Sequence, residues 1–191
     1  MSYIVKVPLL AGFNYRSILM RLRFLALFLF FFFALSPLFA ASVLGFWKTI
    51  DDESGLKRSI VAIYEHDGKV FGRIIVTFDE QEQVKDTIYR PAARAEKLPQ
   101  QPYIAGLDII WDMQEDAAKA RWHKGKILDP KKGKVYNSEL SWNQERQCLQ
   151  VRGKIGPFGR NQFWLKTVAE DFPEDFTMPD CREWTPKIPA L

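Results

Sequence analysis

From residue 122 to residue 166 apolar and polar side chains alternate with a period of two, in short runs separated by tight turns. Between residues 134 and 142, Tyr136, Leu140 and Trp142 fall on one face, and Val135, Asn137, Glu139 and Ser141 on the other. Between residues 147 and 155, Leu149, Val151 and Ile155 oppose Cys148, Gln150, Arg152 and Lys154. A period of two is the signature of a strand with one face buried, and it leaves no continuous apolar stripe for a helix. The first turn reads Asp129-Pro130-Lys131-Lys132-Gly133. Asp and Pro suit its first two positions, and Gly133 supplies the left-handed residue of a bulged hairpin. Asp129, Pro130 and Gly133 are therefore structural candidates.

The same pattern extends to both sides. Residues 45–50, 56–65, 70–78, 106–113 and 121–128 read as strands, and 134–142, 147–155 and 161–168 complete a set of eight. Asp67-Gly68 between the second and third has the chemistry of a two-residue hairpin, so those neighbours run antiparallel. Tight turns leave no room for crossover helices. The expected fold is all-β, an eight-stranded antiparallel up-and-down barrel, in which closure removes exposed strand edges. Residues 79–105 break the pattern with Pro91, Pro99 and Pro102; short helical turns on either side of Pro91 fit there. A loop of that length is either a lid or a mobile surface excursion, and the excursion is the default expectation.

The N-terminal 42 residues differ in kind. Arg21 and Arg23 precede an unbroken apolar run over residues 24–35, followed by small residues at Ala40, Ala41 and Ser42. A basic start, a 12-residue apolar stretch and a small-residue exit read as a signal peptide with an apolar signal helix. Met20 fits as the true start, and processing falls near residue 41 or 43. The expected organisation is a signal peptide over 1–42, a barrel over 43–168 with a loop insertion at 79–105, and a proline-rich tail over 169–191. Export to the periplasm or medium follows, with membrane contact through the signal segment alone. The net charge of +4 comes entirely from Lys6, Arg16, Arg21 and Arg23, which leaves 23 residues of each sign beyond them. A neutral domain lacks the electrostatic footprint of a nucleic-acid binder.

Several separate motifs carry a resemblance. They are Gly45-x-Trp47, Phe71-Gly72-Arg73-Ile74 after the Asp67-Gly68 hairpin, and Gly106-Leu107. Further on come Gly125-x-Ile127-x-Asp129-Pro130-x-x-Gly133-Lys134-x-Tyr136, Leu149-x-Val151-Arg152-Gly153 and Trp164. Over roughly residues 45–166 the chain resembles domain of unknown function 2147, a family of small exported bacterial proteins. The resemblance implies a lipocalin-like, calycin-type barrel and no assigned activity. It also implies that Trp47, behind Gly45, packs at the closed end under a cation from the last strand, here Lys166. Two departures stand out: no cysteine pair occurs in residues 79–105, and Lys166 replaces the arginine the family favours.

No residue stands out as catalytic. His66 and His123 are the only histidines, and His66 sits by a hairpin turn, so a triad or metal site has little to build on. Asp51, Asp52 and Glu53 read as a solvated hairpin tip, and the glycines at 125, 133, 153, 156 and 159 form no phosphate loop. No cofactor and no metal are expected, and no enzyme. The first functional reading is a barrel binding a small apolar or amphipathic ligand, with Trp47, Trp111, Tyr136 and Trp164 as candidate contacts. The alternative is an envelope structural or protein-interaction module with a filled barrel. A cavity favours the first; a solid interior with an exposed apolar patch favours the second.

The tail holds Pro173, Pro179, Pro186 and Pro189 among Phe172, Phe176 and Trp184. Proline forbids regular structure, and the aromatics are costly to leave in water, so the tail is expected to lie along the barrel. Export makes a disulfide between Cys148 and Cys181 plausible, clamping it there.

Overall fold

The computed structural model describes residues 42–191. The expected signal segment and its processing site lie outside the described residues. Nine strands form one sheet: β1 (Gly45–Ile50), β2 (Lys57–His66), β3 (Lys69–Phe78), β4 (Val84–Thr87), β5 (Asp108–Asp116), β6 (Arg121–Asp129), β7 (Lys134–Asn143), β8 (Cys148–Ile155) and β9 (Phe158–Lys166). Every pairing is antiparallel. The order β2-β1-β9-β8-β7-β6-β5-β3-β4 closes on itself because β2 also pairs with β3. The closed barrel has eight strands, as the alternation predicts. Strand β4 is a short addition: β3 pairs with β5 through residues 70–73, and with β4 from Val76 onward.

Strand ends shift at two places. Residues 114–116, expected in a turn, continue β5, and β9 starts at Phe158, three residues before its expected start. In the second case the turn is Gly156-Pro157 alone, with Ile155 directly opposite Phe158, so Phe158 and Gly159, expected in the turn, join the strand.

The long loop is a packed lid and not a mobile excursion. Ala95 and Leu98 are buried in the main core, beside barrel residues. Asp86, itself buried, accepts hydrogen bonds from Thr77 Oγ1 (3.0 Å), the Ala92 amide (2.6 Å) and the Ala93 amide (3.1 Å). Its return is tied down by Gly106 N donating to Ile74 O at 2.8 Å and Ile74 N to Leu107 O at 3.0 Å. No helix forms beside Pro91; turns and β4 take that sequence. The prolines that forbid regular structure do not forbid packing.

The closed end gathers at β1. Trp47 is buried, donates from Nε1 to Val43 O at 2.7 Å, and lies opposite Lys166 in the β1–β9 ladder. Lys166 Nζ stands 4.8 Å from the Trp47 ring centroid, within range of a cation–π contact. Gly45 takes φ +125°, and a Cβ there would come 3.1 Å from Lys166 Nζ. The glycine of Gly-x-Trp thus serves both an unusual backbone angle and the approach of the lysine.

The tail crosses the outer wall of β1–β3 as a strap. Phe172 and Phe176 stack at 5.4 Å, Phe172 meets Phe46 edge-on, and Phe176 packs on Tyr89 of the lid. They cover a second apolar cluster of Ile60, Ala62, Ile75, Val76 and Phe78. Lys48 pairs with buried Asp171 at 2.6 Å. At the far end Arg73 pairs with Asp108 at 2.9 Å, both buried, and its guanidinium lies 4.5 Å from the Trp184 ring centroid. Arg73 Nη2 also donates to Thr185 O at 2.7 Å, and the Lys187 amide donates to Asp108.

The expected disulfide does not form. Cys148 and Cys181 are both free. Cys181, on the strap, packs on the β2–β3 wall, whereas Cys148 opens β8, with β9 and β1 between. Burial raises both thiol pKa values, that of Cys181 to about 11, with Asp180 adding to it. Aromatic and ionic contacts hold the tail where a covalent clamp was expected.

Candidate functional site

Alternation along the strands puts one set of side chains inside the barrel, and at one end they fail to fill it. A cavity of about 950 Å³ runs from the interior to the rim formed by the β1–β2, β6–β7 and β8–β9 turns and the start of the lid. Its inner wall is apolar: Ile74, Ile109, Ile127, Val151 and Trp164, with Ala93 and Ile104 contributed by the lid. Tyr136 and Gln162 bring polar groups among them. The Gln162 side-chain oxygen accepts from Trp164 Nε1 at 3.3 Å, which orients the indole on the cavity wall. Gly153 also lines the space, and a Cβ there would make only ordinary contacts of 3.7 Å with Ile127 and Tyr136.

The rim is charged. Asp51 is absorbed by its own turn: its Oδ1 accepts from Ser54 N (2.8 Å), Ser54 Oγ (2.9 Å) and Glu53 N (3.1 Å), while Oδ2 meets Arg58 at 3.3 Å. These bonds, those from Ser54 first, hold its carboxyl well below the usual carboxylate range. Asp52 pairs with Arg160 at 2.9 Å across the β1–β9 edge. Asp129 likewise caps its turn, accepting from Lys131 N and Lys132 N, each at 3.1 Å. Gly133 has φ +63°, and a Cβ there would lie 2.7 Å from Lys97 O, so only glycine lets this turn seat against the lid. Asp129, Pro130 and Gly133, expected to be structural, build the rim itself, whereas Gly45 and Lys166 sit at the closed end.

The four aromatic candidates separate. Tyr136 and Trp164 line the cavity. Trp47 and Trp111 belong to the packed core and do not line it. The alternation that places Tyr136 inside is visible in sequence; how deep along the barrel a side chain sits is not. Sequence reasoning missed Ile74, Ile109, Ile127, Val151 and Gln162, which look like any other core-facing strand residues. It also missed the contribution of Ala93 and Ile104, because the lid was read as an excursion. His66 lies 3.3 Å from Asp67 at the hairpin, and neither histidine reaches the cavity. Among the described residues no three His, Cys, Asp or Glu side chains gather as a metal-binding group.

The family profile described as an uncharacterized protein conserved in bacteria (DUF2147) matches residues 45–166. Among curated proteins none matches the sequence. Among solved structures the chain is similar to protein HP1028 from the human pathogen Helicobacter pylori, whose description places it in the lipocalin family. That similarity has 19% identity and a TM-score of 0.54, and covers 68% of this chain and 86% of that one. At such identity the likeness speaks for the fold, a lipocalin-like barrel. From Gly45 to Lys166, the span of the closed barrel, this chain belongs to the DUF2147 family.

Proposed function

We propose that this protein is an exported binding protein that carries a small apolar or amphipathic molecule in its barrel. The cavity is the observation that supports this reading. At about 950 Å³, with an aliphatic and indole inner wall, it lies at the upper end of the range typical of small-molecule sites. Burying a ligand's apolar surface there contributes about 25 cal/mol per Å² removed from water. Trp164 and Tyr136 would meet the apolar body, and Gln162 and the charged rim would meet a polar end. The filled-barrel alternative fares worse, because a filled barrel has no room for a space of this size.

The reading is one of binding, not catalysis. Of the carboxylates that line the opening, Asp51, Asp79 and Asp129 are engaged by turn amides and so serve the architecture of the rim. The export part of the reading rests on the basic and apolar N-terminal sequence. Native mass spectrometry of protein purified from its own envelope tests the proposal. A reproducible small-molecule adduct, weakened when Gly153→Leu projects a side chain into the cavity, is the expected result. An intact mass matching the bare chain under all gentle conditions, or an adduct indifferent to Gly153→Leu, would count against it.

A further inference from the structure

Two neighbouring turns of the rim differ from the rest. At the β8–β9 turn Ile155 and Phe158 face each other in register, 65% and 80% exposed, on either side of Gly156-Pro157. Single exposed apolar side chains are ordinary, but a paired aliphatic and aromatic residue at a turn tip beside a cavity mouth is not. Both side chains line that mouth. The residues around them are basic: Lys154 and Arg160 on the same hairpin, and Lys131 and Lys134 at the adjoining β6–β7 turn. Lys154 pairs with Glu139 and Arg160 with Asp52, whereas Lys131 and Lys134 have no ion-pair partner among the described residues. The acids of the rim lie in the β1–β2 turn, at Asp51 to Glu53, where Asp52 reaches across to Arg160, and at Asp79 and Glu80 where the lid begins.

We propose that the β6–β7 and β8–β9 turns dock the open end of this barrel on an anionic lipid surface. Phe158 and Ile155 enter the boundary between head groups and acyl chains, and Lys131 and Lys134 meet the lipid phosphates. Basic residues framing a small apolar wedge are the composition that binds anionic interfaces, by apolar burial plus attraction to the surface potential. The acids of the β1–β2 turn and of the lid's start tilt the molecule, because an anionic surface attracts the turns that carry free lysines and repels those that carry free carboxylates. A protein partner would also cover Phe158, but the two unpaired lysines beside it select an acidic surface. The docking does not depend on the cavity being a ligand site. It adds a second membrane contact to the one expected of the N-terminal segment.

Because that segment can itself hold the full chain at a membrane, the test must read the rim locally. The full-length protein carrying Cys181→Ser, to leave only buried Cys148, is labelled with nitrobenzoxadiazole through Phe158→Cys, and separately through Glu53→Cys. Each is mixed with phosphatidylglycerol vesicles and with phosphatidylcholine vesicles. The expected result is a several-fold, blue-shifted rise in emission at position 158 with phosphatidylglycerol alone, and none at position 53. The combined substitution Lys131→Glu and Lys134→Glu should weaken that response at least about tenfold in lipid concentration. No response at position 158, equal responses at 158 and 53, an equal response to phosphatidylcholine, or indifference to charge reversal would overturn the proposal. The first of these would assign the patch to a protein surface. Adduct-free protein that still docks would separate this inference from the ligand reading.

Discussion

At Ser138 the side-chain hydroxyl is buried on β7 with no hydrogen-bond partner among the described residues. It lies two residues from Tyr136 on the inward-facing side of the strand, opposite Gly125 on β6 and Gly153 on β8. A buried unsatisfied hydroxyl costs about 1–3 kcal/mol. Ser138→Ala is therefore expected to leave stability unchanged or raise it by about 1 kcal/mol in urea unfolding. A loss above about 2 kcal/mol would show that the hydroxyl has a partner in solution. Arg73 behaves in the opposite way. Its removal leaves Asp108, fully buried, without its countercharge, so Arg73→Met is expected to cost about 3–5 kcal/mol by the same measurement. A cost below about 1 kcal/mol would mean water reaches Asp108. Turn residues such as Asp129 and Pro130 were legible in the sequence because their roles depend on near neighbours. Arg73 and Asp108 were not, since 35 positions and a change of strand separate them.

The same division holds for elements. Strands announced themselves by alternation, and β1 to β9 follow the expected runs apart from β4 and small shifts at the ends. The lid and the strap carry no period, so nothing in their sequence says where they dock. What the tail did disclose was cost: Phe172, Phe176 and Trp184 are too apolar to leave in water, and all three lie against the barrel. The expected covalent clamp failed because pairing two cysteines by number says nothing about which wall each faces. Deleting residues 169–191 uncovers Ile60, Ile75 and Val76, takes Asp171 from Lys48, and takes the Thr185 carbonyl and the Trp184 ring from Arg73. A truncated protein is expected to melt at least about 10 °C lower, given several kcal/mol lost and about 2–4 °C per kcal/mol for a chain of this size. Equal melting of the two forms would show that the strap is ornamental. Unreduced protein, unfolded in guanidinium, should titrate two thiols per chain; none would restore the Cys148–Cys181 bridge.

On the scale of the whole molecule the barrel is polarised. Trp47 and Lys166 close one end, and the other opens through a charged rim into an apolar space of about 950 Å³. The sequence foretold closure, because tight turns and alternation allow few other outcomes. It could not foretell the space, since filling a barrel depends on the summed volumes of inward side chains from every strand and from the lid. A fluorescence titration with an apolar probe, N-phenyl-1-naphthylamine, shows whether that space takes a ligand. Saturable binding of one probe per chain, with energy transfer from tryptophan, is expected, and Gly153→Leu should weaken both at an unchanged melting temperature. Absent or non-saturable binding, or equal binding by Gly153→Leu, would contradict ligand binding in the barrel.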